Sequence, residues 1–304
     1  MKIVTLTLAP AIDIHCFVPS LAVGKENFAS NAERYAGGKG LNISRALTAF
    51  GVENIAILAL GEDSHADFFS LLSGEQLQYS FFPLSGRVRE NITIHTESGC
   101  ETRLSFAGAV MDTSVWLQIE KALLCCDENT IVTFTGSMPQ GASMSNIKSL
   151  IMHLREKGTK VVIDSRSFSK EDLIECRPWL IKPNESEMLS YCQKDCLSLE
   201  DAKEEGEKLC QAGIENVMIS MGAQGAILCN AGGVFYSRAP EIKPISTIGA
   251  GDSMVAGFIV GEMQKLNDDK KLAMAVSFGS AACLTEGTTP PEKEQILQLL
   301  ETLI

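Results

Sequence analysis

Strand-length runs of apolar residues alternate along this chain with stretches whose apolar positions recur at helical spacing. The runs fall at residues 2–8, 54–60, 130–135, 160–164, 179–182, 217–221 and 226–229. Several have almost no polar interruption, the pattern of strands covered on both faces in a parallel sheet. Between them, residues 145–157 place Ile147, Leu150, Ile151 and Leu154 on one helical face, with Ser145 as the predicted N-cap and Gly158 as the stop. Residues 200–212, 251–263 and 270–286 read as helices in the same way. No linker, low-complexity tract or internal repeat divides the chain, so residues 1–304 are expected to form a single α/β domain.

Two stretches, at about 13–35 and 85–108, break this rhythm. Within the second, residues 91–96 and 101–106 alternate apolar and polar positions around Ser98-Gly99, the mark of an antiparallel pair. Both stretches are expected to lie outside the main sheet as antiparallel strands. A small projecting sheet suits a lid, which excludes water and completes a catalytic constellation.

Charge and composition narrow the function. The 304 residues carry 26 Lys+Arg against 38 Asp+Glu, a net charge of −12, with no basic run. Without clustered cations to displace phosphate counterions, no nucleic-acid partner is expected. The longest apolar stretches, such as 254–261 and 273–282, fall short of the roughly 20 residues that span a bilayer, so no membrane partner is expected either. The first residues pass straight into a strand pattern without signal-peptide organisation, which points to the cytoplasm. Ten cysteines scattered from Cys16 to Cys283 read as free thiols. Cys192 and Cys196 form a compact pair, but no second ligand pair follows at zinc spacing.

Four motifs carry candidate chemistry. In Gly249-Ala250-Gly251-Asp252, glycines just before a predicted helix leave its first amides free to face an anion, and the helix dipole adds partial positive charge. Asp252 then reads either as an ordinary first-turn charge or as a general base beside those amides. Gly37-Gly38-Lys39-Gly40-Leu41-Asn42 opens another helix, and it matches neither the nucleotide P-loop nor a dinucleotide fingerprint. Lys182-Pro183-Asn184 through Glu187 follows a strand at its carboxyl end, where open α/β sheets bind ligands. Its Asn184 and Glu187 are hard oxygen donors that suit Mg²⁺ held through water, or else simply cap a helix. Ser220 through Gly225, with Gly222 inside it, joins two strands as a glycine-bearing turn. Arg87, Arg89 and Arg103 stand on the projecting strands, where guanidinium groups suit a substrate phosphate.

Taken in this order, the motifs resemble the PfkB branch of the ribokinase-like sugar kinases over nearly the whole chain, most closely its 1-phosphofructokinase and tagatose-6-phosphate kinase subgroup. The resemblance implies a three-layer α/β/α domain with a small β-sheet lid. It implies ATP and Mg²⁺ as cofactors, leaves a monovalent cation open, and makes a sugar phosphate the small-molecule partner. By the same resemblance Asp252 is the base, with the Gly249, Ala250 and Gly251 amides as the anion hole. Asp13, Gly38, Asn42 and Asn91 hold the sugar, while Lys39, Arg89 and Arg103 meet the phosphate it already carries. Lys182, Asn184, Ser220, Gly222 and Gly225 take the nucleotide, and Asn184 with Glu187 positions Mg²⁺. The implied reaction is phosphorylation of fructose 1-phosphate to the 1,6-bisphosphate. Tagatose 6-phosphate or fructose 6-phosphate kinases, and a sugar-phosphate sensor without activity, are the alternatives. Ala9 departs from the asparagine the family usually has before Pro-Ala-x-Asp, which bears on the preferred sugar. The lid suits either closure over substrate or a homodimer. This reading requires Lys39, Arg89, Arg103 and Lys182 to converge on one cleft.

Overall fold

From the amino terminus, β1 (Lys2–Thr7) leads into two lid strands, β2 (Ala11–Val18) and β3 (Asn31–Gly37), and α1 (Lys39–Phe50) returns to the main body. The computed structural model describes all of residues 1–304. Next come β4 (Ile55–Gly61), α2 (His65–Leu71), β5 (Tyr79–Leu84) and the second lid pair, β6 (Arg89–Thr96) and β7 (Glu101–Ser105). They are followed by α3 (Thr113–Leu123), β8 (Thr130–Thr135), α4 (Met144–Glu156), β9 (Lys160–Asp164) and α5 (Lys170–Cys176). Then β10 (Leu180–Ile181), α6 (Glu185–Cys192), α7 (Leu199–Gln211), β11 (Asn216–Ser220), β12 (Ala226–Asn230) and β13 (Gly233–Ser237) complete the sheet. The chain closes with α8 (Ala250–Met263), α9 (Asp268–Ala282) and α10 (Lys293–Glu301).

The main sheet has nine strands in the order β13-β12-β11-β10-β9-β8-β1-β4-β5, all running the same way except β12, which is antiparallel to β11 and β13. A core of 34 buried residues lies on the face covered by α3 to α7, and one of 25 on the face covered by α1 and α8 to α10. Strands β1, β8 and β9 are buried on both faces, which is why their sequences run apolar without alternation. From β1 the chain first builds outward through β4 and β5, then returns to place β8 on the other side of β1. The strand order therefore reverses between β1 and β8, and the crevice beyond the carboxyl ends there is where an open sheet binds ligands.

The lid is a second sheet, β3-β2-β6-β7, seated over a small core that includes Ile12, Leu41, Leu58, Phe68 and Val88. The outer pairs β2·β3 and β6·β7 are antiparallel, as expected, the second of them matching the alternation of residues 91–96 and 101–106. The joint between them is not: β2 and β6 run parallel, with Asp13 opposite Asn91. The first expected segment falls two residues short at each end and contains no strand over residues 19–30, while the second begins too early, since β6 starts only at Arg89. Ser143 rather than Ser145 caps α4, its hydroxyl accepting from the Asn146 amide. Strands β5 and β13 had no clear apolar run to announce them, because each is an edge strand with one exposed flank.

Candidate active site

Three elements end around the crevice and supply its charge. At the carboxyl end of β9, Asp164 is fully buried, in register with Thr135 of β8 and, through it, with Thr7 of β1. Lys39, at the start of α1, places its ammonium 2.9 Å from Asp164 Oδ1, and Lys182, just past β10, lies 3.6 Å from Oδ2. Burial works against the Asp164 carboxylate, but the two lysines outweigh it and hold its pKa below the ordinary value. Burial likewise opposes the charge of Lys39, and Asp164 and Asp252 outweigh it, raising its pKa.

Asp252 occupies the first turn of α8 and is buried, 6 % exposed. Desolvation raises its pKa from 3.8 to about 6, with Asp164 pushing the same way and Lys39, Lys182 and the Asn42 hydrogen bond pulling back. That value suits a group that must be ionised at neutral pH yet able to take a proton. The Asn42 amide donates to Asp252 Oδ2 at 2.8 Å. Gly249 caps α8, and the Gly251 and Asp252 amides have no acceptor within the chain. A Cβ on Gly251 would stand 3.0 Å from Lys182 Nζ, so the missing side chain leaves room for that ammonium beside the first turn of α8. Unpartnered amides, a helix N-terminus and a lysine at one point make an anion site.

A second group gathers on the lid. Asp13 Oδ1 accepts from Asn91 Nδ2 at 2.7 Å and pairs with Arg103 at 3.4 Å. Its other oxygen lies where a Cβ on Gly37 would be, 2.0 Å from that position, so only glycine admits the carboxylate. Since Gly37 is two residues before Lys39, the lid group adjoins the buried one. Arg89 Nε donates to the carbonyl of Ala9 at 3.0 Å. The backbone of Ala9 thus makes the contact, and the departure at that position removes only a side chain. Burial lowers the Arg89 pKa, with Arg103 acting in the same sense and Asp13 against it. The four basic residues therefore form two groups rather than one undivided patch: Lys39 and Lys182 on Asp164, and Arg103 on Asp13 with Arg89 held nearby by the Ala9 carbonyl.

Beyond the anion site, a cavity of about 720 Å³ is lined by Asn184, Ser220, Gly222, Gly225, Ala250 and Gly251 among others. It unites the Ser220–Gly225 turn with the start of α8, and its apolar wall includes Met254 and Val276. Asn184 and Glu187 form a capping box on α6: Asn184 Oδ1 accepts from the Glu187 amide and Glu187 Oε2 from the Asn184 amide, both at 2.9 Å. The structural reading of that motif is therefore realised. Carboxylate and amide oxygens also keep further lone pairs for water, so the donor set still fits Mg²⁺ bound through its hydration shell. No group of three or more His, Cys, Asp or Glu side chains forms a direct metal cage, Cys192 and Cys196 included. All ten cysteines are free, and no helix is long and apolar enough to cross a membrane.

Sequence reasoning missed Asp164, although a carboxylate at the carboxyl end of a buried parallel strand is itself a signal. The structure also pairs Lys39 with Asp164 and Asn42 with Asp252, contacts that local sequence does not announce.

A family model described as pfkB family carbohydrate kinase matches residues 2–295. A protein from Vibrio cholerae named 1-phosphofructokinase is 30% identical to this chain, covering 99% of it and 96% of that protein. One of the same name from Haemophilus influenzae is 34% identical over 92% of this chain and 90% of its own length. The crystal structure of phosphofructokinase-2 from Escherichia coli in complex with substrates and products superposes with a TM-score of 0.91 at 26% identity, covering 100% of this chain and 99% of that one.

Proposed function

Because the chain belongs to the pfkB family of carbohydrate kinases, we propose that it transfers the γ-phosphoryl group of ATP to a primary hydroxyl of a ketohexose phosphate, with fructose 1-phosphate as the preferred acceptor. The observation that carries this reading is the pairing of two sites. A buried carboxylate stands beside free helix amides and Lys182, and the adjoining lid group offers Arg89 and Arg103 to a second anion. A kinase for an uncharged sugar has no use for that second group.

In this reaction Asp252 takes the proton of the acceptor hydroxyl as its oxygen attacks phosphorus. The Gly251 and Asp252 amides and Lys182 stabilise the charge that grows on the transferring group. Asp13 and Asn91, locked to each other across the lid, orient the sugar hydroxyls, and Arg89 and Arg103 hold the existing phosphate. The cavity behind the Ser220–Gly225 turn receives the nucleotide. Asn184 and Glu187 would hold Mg²⁺ through water, where the ion would neutralise phosphate charge. A net charge of −12 does not oppose two anionic substrates, because local amides and cations set the potential in a cleft.

A substrate panel tests the reading. ADP release measured with fructose 1-phosphate, tagatose 6-phosphate, fructose 6-phosphate, ribose and adenosine should be fastest with fructose 1-phosphate. The resemblance to a phosphofructokinase-2 makes fructose 6-phosphate the second reading. Binding with no ADP release from any of the five would leave a sensor instead. Arg89→Ala should raise KM for the phosphorylated sugar by roughly 10–100-fold, the worth of a charge-assisted pair, with kcat much less affected. An unchanged KM would remove Arg89 from phosphate recognition.

A further inference from the structure

Arg45 is a buried cation that the proposed reaction does not use. It lies one turn after Asn42 on α1 and is 6 % exposed. Its Nε and Nη2 grip both oxygens of Glu75, at 2.7 and 2.8 Å. The remaining edge points inward, where Nη1 donates to the Ala36 carbonyl at 2.7 Å and to Asn42 Oδ1 at 3.2 Å. On the far side of the same amide, Asn42 Nδ2 donates to Asp252 Oδ2.

A guanidinium has five donors and no acceptor, whereas an asparagine amide has a donor end and an acceptor end that are almost the same shape. Arg45 therefore tolerates only one orientation of Asn42, with oxygen toward the arginine and NH₂ toward the carboxylate. In the flipped orientation two donors would face each other at Arg45, and the Asn42 oxygen would face Asp252. We infer that Arg45, anchored by Glu75, is a positioning residue that holds the Asn42 amide in the orientation that donates to Asp252.

The hydrogen bond from Asn42 favours the charged form of Asp252. Its loss should move the acid limb of the pH–rate profile upward. The other charged groups facing Asp252 are Lys39 from α1, Lys182 from the end of β10 and Asp164 from β9, and none of them touches Arg45 in the hydrogen-bond network.

This inference rests on Asp252 being the base, and a mutant cycle separates the two. Arg45→Met and Asn42→Ala should each lower kcat by roughly tenfold, with KM for ATP within about twofold of wild type. The double variant should be no slower than Asn42→Ala alone, since Arg45 acts through that side chain. Effects that multiply would overturn the relay. Glu75→Ala, at an exposed residue that touches Arg45 and not Asp252, covers the case in which Arg45→Met does not fold. Removing that negative charge would by Coulomb's law lower the Asp252 pKa, whereas loosening Arg45 should raise it. An acid limb displaced upward supports the relay, and one that is unmoved or displaced downward overturns it. Full turnover by Asp252→Asn would instead sink the base, whatever the cycle shows.

Discussion

Replacing Asp252 by asparagine should lower kcat by about 10²–10⁴-fold, the usual worth of a positioned general base, and at pH 7 the same variant should melt at a higher temperature. The first effect follows from position: the carboxylate adjoins the free Gly251 amide and Lys182, and asparagine keeps the shape without the basicity. The second follows from burial. Desolvation raises the pKa of this carboxyl from 3.8 to about 6, so its protonated form is the one the fold prefers. Stability from that preference is fully present below pH 3.8 and is lost as the pH rises through about 6. At neutral pH the ionised group therefore costs the fold up to about 3 kcal/mol, and relief of that cost corresponds to a rise in Tm of several degrees. Steady-state kinetics and thermal unfolding at pH 7 measure the two together. Near-normal turnover would remove Asp252 from the mechanism, and an unchanged Tm would show that the ionised form is not strained. The wild-type rate should fall on the acid side of about pH 6 as the base becomes protonated.

Asp164→Asn should act in the opposite sense on stability. Asp164 is buried between Lys39 and Lys182, and Lys182 is only 4 % exposed. Neutralising it leaves the buried Lys182 ammonium without its paired carboxylate and with only Asp252 as a counter-charge, a loss of about 3–5 kcal/mol. In the wild type the depressed pKa of Asp164 gives stability that is present above the unfolded carboxyl value and lost as pH falls through the lower, folded one. Urea unfolding should therefore find the variant much weaker at pH 7, with a shallower loss of stability in acid than the wild type. Lys182→Met in the Asp164→Asn background should recover part of the loss, because an apolar side chain replaces the stranded charge. Turnover should also drop, since Asp164 holds Lys39 beside Asp252 and Lys182 beside Gly251. A loss of stability below about 1 kcal/mol would mean that the pair behaves as a solvated one.

The two aspartates show why a site is only partly legible in a chain. Asp252 stands inside a glycine-rich turn that opens a helix, so local sequence announces both the amides and the carboxylate. Asp164 ends a strand that would look the same in any parallel sheet, and its meaning comes from Lys39, 125 residues away in sequence. Asn184 and Glu187 carry the reverse lesson, because their spacing serves a capping box and a hydrated ion equally well. In the small sheet, alternation predicts the antiparallel pair β6·β7, yet the parallel contact of β2 with β6 joins segments some 78 residues apart. No local pattern encodes such a contact.

Sequence alone determined the layered α/β class, the strands that stand outside the main sheet and the two glycine turns that open helices. It could do so because periodicity, turn chemistry and helix starts are written within a few residues of each other. Tertiary structure decided which charges pair, and it turned Lys39 to Asp164 and Asn42 between Arg45 and Asp252. Desolvation and Coulomb energies depend on distance and burial, and both arise only when strands remote in sequence close around the same point.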